Sequence, residues 1–262
     1  MTTRVAALDY AFAVGRVRAL ENYLIPYQVF REAAEAESAE RARELISDSG
    51  RFGEDLLLVG NADQLDRVLL KERMALDFNL EELFLEKPLY HAYQAAENPS
   101  EMSGRLETVE NHFIRDYFRL RLDLANLKLF LRCRYLELPE DQLAGKFLPG
   151  GRLDKKLFLE NYRADFGEFY QLLRSSQFGE LWKLATEHLV SRESLIVLER
   201  ETENLSLNYL KRARQITFGP EPLFAYGLAR RHELKLVRIV LAGKFLQLPA
   251  SFLRERISQT YV

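Results

Sequence analysis

All-α is the fold class that this sequence predicts, and three observations predict it. Apolar residues recur in alternating steps of three and four. One run reads Phe113, Tyr117, Leu120, Leu124, Leu127, Leu131; a second reads Leu195, Leu198, Thr202, Leu205, Tyr209; a third reads Leu234, Val237, Leu241, Phe245. No stretch sustains the period-two alternation of a half-buried strand, and no Asn-Gly or Asp-Gly hairpin turn is present. The 8 prolines and 13 glycines sit mostly in plausible connectors, which leaves long uninterrupted helical segments between them.

Each element has a local cause. The Gly60-Asn61-Ala62-Asp63 stretch precedes Leu65, Val68 and Leu69 and can cap a helix start. A run over 107–136 predicts a rod about 45 Å long at ~1.5 Å per residue. Leu148-Pro149-Gly150-Gly151-Arg152-Leu153-Asp154 is a strong break and the expected module boundary. A helix pair over roughly 160–187 and 189–214 follows. Pro220 and Pro222 then open the last long helix, since early helical positions need no N–H partner.

An internal repeat emerges when Pro139 is placed on Pro249, 110 positions later. Residues 123–143 then align with 233–253. Leu124, Leu131, Leu136, Leu138, Pro139 and Leu143 meet Leu234, Leu241, Leu246, Leu248, Pro249 and Leu253, and Asp123, Lys128, Arg134 and Tyr135 meet Glu233, Arg238, Lys244 and Phe245. Each unit is an acid, a base five residues on, a second base six further, a Leu-x-Leu-Pro stop and a short helix. Leucine matches between amphipathic helices also arise by chance; the shared charge spacing and the shared stop are what favour a true repeat. The hexapeptide Leu-Ala-Gly-Lys-Phe-Leu, present at 143–148 and at 241–246, offers a rival register, but its two copies lead into different sequences.

The length of 262 residues is enough to bury a real core, and 47% hydrophobic with 29% charged residues excludes a disordered chain. The formal net charge of −2 argues against a dedicated nucleic-acid binder, which carries a basic excess. The single Cys133 excludes an intramolecular disulfide framework and suggests a reducing compartment. No secretory signal is apparent, and no apolar run is long enough to span a bilayer, so a soluble, cytoplasmic protein is expected. The small net charge hides an asymmetry: residues 32–110 hold 19 acidic and 8 basic side chains, residues 207–262 hold 3 and 10. The plainer reading is solvated helix faces. The sharper one is an acidic pole and a basic pole that meet different charged partners.

Near-matches to catalytic patterns fail at particular positions. The Gly145-Lys146 and Gly243-Lys244 pairs are not phosphate loops: Glu140 and Arg238 occupy the first glycine's place, and Phe147 and Phe245 the hydroxyl's. His232-Glu233 opens like a zinc-protease helix, but Leu236 stands where the second histidine belongs. The histidines at 91, 112, 188 and 232 are dispersed, and Cys133 between Arg132 and Arg134 reads as a buried cysteine, because consecutive helix residues do not share a face. Nothing points to an enzyme, a metal or a cofactor. What stands out is charge in apolar helix context: Arg16, Arg18, Glu21, Asp123, Lys128, Glu233, Arg238 and Lys244, read either as solvent-facing residues or as inter-helix ion pairs.

At these residues the chain resembles the family that unites the C and d subunits of A-type and V-type ATPases. The segment 9–25 is similar to the family's opening helix through Tyr10, Arg16, Arg18 and Glu21. The segment 123–154 is similar to its middle helix and Pro-Gly-Gly turn through Asp123, Asn126, Lys128, Arg132, Gly150 and Gly151. The segment 219–257 carries the clearest likeness, through Pro222, Tyr226, Glu233, Arg238, Gly243 and Lys244; between about 54 and 105 the likeness is weak.

The resemblance implies a single all-helical domain over 1–262, folded as a funnel of three similar helical modules with pseudo-threefold symmetry. Their approximate extents would be 1–60 with part of 180–215, 61–158, and 159–262. It also implies a non-catalytic rotor protein that needs no cofactor and has neither catalytic residues nor metal ligands. Such a protein sits peripherally on the cytoplasmic face, between a membrane proteolipid (c/L) ring and central shaft subunits of the D/F type. Tyr10, Arg16, Arg18, Glu21, Asp123, Asn126, Lys128, Tyr226, Glu233, Arg238 and Lys244 are then packing or interface candidates. The chain is shorter than the family's usual members, which suggests trimmed connectors. A stand-alone helical-repeat scaffold is the alternative.

Overall fold

A computed structural model describes residues 5–50, 52 and 54–262. Among the described residues it is helical throughout, with no strand. The α-helices are α1 (Ala11–Glu21), α2 (Tyr27–Glu35), α3 (Ala39–Ser49), α4 (Ala62–Leu83), α5 (Lys87–Ala95), α6 (Pro99–Arg105) and α7 (His112–Tyr135). They continue with α8 (Glu140–Lys146), α9 (Lys155–Glu160), α10 (Phe166–Leu173), α11 (Gly179–Arg192), α12 (Ile196–Leu210), α13 (Glu221–Phe245) and α14 (Ala250–Arg256).

Caps explain most boundaries. Asn61 Oδ1 accepts from Gln64 N and starts α4; Asn111 Oδ1 accepts from Ile114 N and starts α7, later than the expected 107. Pro220 is the N-cap of α13, with Pro222 in its first turn. The single helix expected over 160–187 is instead two. Asp165 and Glu168 form a capping box that opens α10, and a turn near Ser176 ends it before α11.

The chain forms two compact units, Met1–Tyr93 with Leu207–Val262, and Gln94–Ser206. In the first, α13 is the axis. Leu234, Val237, Val240 and Leu241 pack against Phe30 and Ala33 of α2, Ile46 of α3, Leu65 and Leu69 of α4, and Leu253 of α14. In the second, Phe130 of α7 gathers Phe169, Phe158 and Trp182, with ring centroids 4.6, 5.4 and 5.7 Å away. Edge and tilted ring contacts of this kind add to simple area burial.

The repeat found in the sequence exists as backbone. At the end of α7, Glu137 N donates to Arg134 O (3.1 Å) and Leu138 N to Cys133 O (2.8 Å). At the end of α13, Gln247 N donates to Lys244 O (3.0 Å) and Leu248 N to Gly243 O (2.9 Å). Glu137 and Gln247 both adopt the left-handed conformation, at φ 50° and 55°. Pro139 and Pro249 then cap α8 and α14, helices of 7 residues each, whose Leu143 and Leu253 are buried. Pro26 caps α2 with similar backbone angles (φ −65°, ψ 150°), but without a left-handed residue before it.

The two copies of Leu-Ala-Gly-Lys-Phe-Leu differ in setting. Gly145 has no atom within 4 Å of where a Cβ would sit, whereas a Cβ at Gly243 would come within 2.3 Å of Leu253.

Candidate functional site

The acids embedded in the repeat, Asp123 and Glu233, are interior anchors. Asp123 is fully buried on α7. Its carboxylate accepts from Arg152 N (3.0 Å) and Leu153 N (2.8 Å) and straps the Pro-Gly-Gly loop to the helix. Three residues on, Asn126 closes a reciprocal pair, donating to Leu148 O (2.8 Å) and accepting from Leu148 N (2.9 Å). Gly151 is obligatory there, because a Cβ would come within 2.2 Å of Asp123 Oδ1. Burial pushes the Asp123 carboxyl up, against the pull of the two N–H donors.

Glu233, at the equivalent place on α13, is also buried but is held differently. It accepts from Ile25 N, at the turn between α1 and α2, and pairs with Arg230, which reaches on to Glu72 Oε2 of α4 at 3.0 Å. Burial raises Glu233, and the adjacent Arg230 opposes the rise. One residue after Arg230, Arg231 meets Asp77 at 2.8 Å with its guanidinium 3.9 Å from the Tyr93 ring centroid, and Tyr93 donates its hydroxyl to Asp77 at 2.7 Å. Burial acts upward on Asp77, but the bonds from Tyr93 and Arg231 outweigh it and hold the carboxyl below its usual range.

The bases that follow these acids reach neighbouring elements. Lys128 pairs with Glu199 of α12 at 3.1 Å, and Arg132 pairs with the same carboxylate. Arg238 grips Asp66 of α4 with two bonds of 2.7 and 3.0 Å, and Lys244 donates to Ala36 O at 2.6 Å. On α1, Arg18 holds Glu21 with two bonds of 2.8 Å and donates to Ala213 O and Ile216 O at 2.8 and 3.0 Å. Tyr10 is buried near Glu86, and its hydroxyl is pushed up to about 12, first by burial and then by that charge. Tyr226 is buried on α13, and Arg16 is exposed on α1.

The two-pole reading of the charge asymmetry is overturned in the first unit. Arg230–Glu72, Arg231–Asp77, Arg238–Asp66 and Arg254–Glu35 join the basic C-terminal segment directly to the acidic one. The excesses cancel at the α13 seams, so these members do not form separate docking faces. Sequence reasoning does not single out Glu72, Asp77, Arg230, Arg231 or Glu199. Their signal is weak, since three of the five lie on α4 or α12, away from the matched segments.

Chemically the arrangement is saturated. The carboxylates of Asp123, Glu233 and Asp77 are committed to backbone N–H groups, guanidinium or hydroxyl, and burial raises the Cys133 thiol away from a reactive thiolate. His232 Nε2 lies 2.9 Å from Ser258 Oγ and 3.2 Å from Gln259 O, so it faces the C-terminal segment. Among the described residues no group of three or more His, Cys, Asp or Glu converges on a point, and no helix is long and apolar enough to cross a membrane.

The fold is thus all-helical, with two long helices that end in matching turns and each bury an acid. The family model for the ATP synthase (C/AC39) subunit matches residues 79–256, and the chain belongs to that family. It is similar to the C subunit of the V-type sodium ATPase of Enterococcus hirae, with 28% identity over 111 residues. That alignment covers 42% of this chain and 33% of the relative, so the chain spans about a third of the curated protein it matches.

Proposed function

We propose that the chain is a non-catalytic central-stalk subunit of a V/A-type ATPase. It would link the membrane proteolipid ring to central shaft subunits of the D/F type and pass torque between them. On this reading it is peripheral, on the cytoplasmic face, and attached through protein contacts. The supporting observation is the pair of long helices, α7 and α13, each ended by the same turn and each pinned by buried acids inside a chain of this family. A torque coupler needs stiff rods with fixed ends, and charge committed to interior straps supplies stiffness rather than chemistry. The three-module funnel belongs to the same proposal. Its third member would be the α1–Pro26–α2 hairpin, which shares the proline cap but not the left-handed residue.

The test is reconstitution of the purified chain with proteolipid ring and shaft subunits. Expected is a complex containing both partners, and ATP-driven ion transport that falls when the chain is omitted. Binding to neither partner would overturn the coupler reading and favour a stand-alone scaffold.

A further inference from the structure

Helix α4 buries one side and leaves the other bare. Leu65, Leu69, Leu76, Leu80 and Leu83 are buried, and α4 packs along α13. On the opposite side Leu70, Met74 and Phe78 recur at four-residue steps and are 59, 63 and 64% exposed. Three large apolar side chains in one row on a helix surface mark a contact site, whereas scattered ones are ordinary.

The row is bracketed by opposite charges at equal distance. Arg67 lies seven residues before Met74 and Glu81 seven residues after it, close to two turns either way, so all three share the exposed face. Neither Arg67 nor Glu81 has an ion pair among the described residues. The acids of α4 that reach α13 differ: Asp66, Glu72 and Asp77 are held by Arg238, Arg230 and Arg231. The outer order of base, Leu, Met, Phe and acid is therefore left unused within the chain.

That order is complementary to its own reverse. When two copies of α4 lie antiparallel about a two-fold axis at Met74, Leu70 meets Phe78, Met74 meets Met74, and Arg67 meets Glu81 at both ends. A parallel pairing sets Arg67 on Arg67 and Glu81 on Glu81, so electrostatics selects the antiparallel one. The flexible thioether of Met74 suits the axis, where a side chain must pack against its own copy. We propose that this face of α4 binds a second copy of the chain, as an isologous antiparallel helix pair centred on Met74. A second copy supplies the apolar row and the reversed charge order by construction, whereas a different partner needs both independently. The span from Arg67 to Glu81 is about 21 Å at ~1.5 Å per residue, small beside a stable interface, so the dimer is a weak one that dissociates on dilution. The inference does not rest on the central-stalk reading.

Sedimentation of the full chain from roughly 1 µM to 1 mM tests it. The wild type is expected to pass from monomer to dimer over that range. Arg67→Glu sets acid against acid at both ends and Glu81→Arg sets base against base, so each is expected to raise the dissociation constant about tenfold. An equimolar mixture of the two variants restores the charge match at both ends, as does the double variant in one chain, and both are expected to dimerise like the wild type. Met74→Glu, on the axis, is expected to leave a monomer. All three positions are exposed, so melting temperatures are expected to stay unchanged. A chain that is monomeric at every concentration overturns the proposal, as does a dimer that survives Arg67→Glu and Met74→Glu, or a mixture of the charge variants that stays monomeric. Flotation of the monomeric chain with phosphatidylcholine vesicles, lost in Met74→Glu, overturns it as well, since the occupant is then a lipid surface.

Discussion

Asp123 and Glu233 stand at matching places in the two repeat units, each buried on a long helix that ends in the same left-handed turn, yet they are held by different chemistry. Asp123 is neutralised by backbone N–H dipoles from the loop that follows its own module. Glu233 is neutralised by a buried guanidinium, which is itself shared with α4. One acid fixes a loop to its helix; the other fixes three helices to one another. The repeat keeps the need for a buried anion at this point while leaving its partner free. Elementary electrostatics allows that freedom, since a buried charge requires compensation but not a particular donor.

Deleting the two acids in turn should break the comparison most visibly. Glu233→Ala removes the buried carboxylate that pairs with Arg230, and a loss of about 3 kcal/mol in urea-unfolding stability is expected. Asp123→Ala leaves two N–H groups without an acceptor and should cost about 2 kcal/mol, with faster hydrogen exchange confined to the loop at 148–154. Equal losses, with exchange spread over the whole chain, would show that the two acids do the same job.

The shared turn gives a smaller effect of opposite sign. Glu137→Gly and Gln247→Gly each remove a side chain from a left-handed position and should stabilise by about 1 kcal/mol in thermal melts. Stabilisation at one site alone would show that the turns are not energetically equivalent.

Acid titration separates two kinds of carboxylate. Asp77 is held below its usual range, so its contribution is present at neutral pH and is lost as pH falls through its lowered folded value. Asp123 is raised, so the folded state binds its proton more tightly, and its contribution is greatest in acid and is lost as pH rises through the folded value. Melting temperature against pH should therefore flatten on the acid side in Asp77→Asn, and Asp123→Asn should instead reduce the decline on the neutral side.

Smallest are the first bases, five residues after each acid. Arg238 and Asp66 are largely exposed, and Lys128–Glu199 is half-exposed, so a double-mutant cycle on either pair should give at most about 1 kcal/mol. A larger coupling at Arg238 alone would mean that the α4–α13 seam is more rigid than its exposure implies.

The repeat was legible in the sequence because its features are local. Proline caps, leucine spacing and the Leu-x-Leu-Pro stop act over short stretches of chain, and the backbone obeys them at Glu137 and Gln247 alike. Helix length was less legible. The run at 160–187 has apolar spacing throughout, but the Asp165–Glu168 capping box and the turn near Ser176 divide it. Those short polar side chains compete with the helical backbone, and apolar spacing does not register them.

By itself, then, the sequence determined an all-helical chain and the two matching Leu-x-Leu-Pro turns, and it left open whether Asp123 and Glu233 face solvent or the interior. Tertiary structure alone decided the partners. Glu72 meets Arg230 across 158 residues, Asp66 meets Arg238 across 172, and Glu199 meets Lys128 across 71. Helical periodicity tells which face turns inward but not which neighbour waits there. For the same reason the acidic and basic segments, distinct along the chain, became the two sides of one seam. Arg16 is the exception, an exposed cation on α1 that donates to the neutral amide of Asn79 at 3.3 Å.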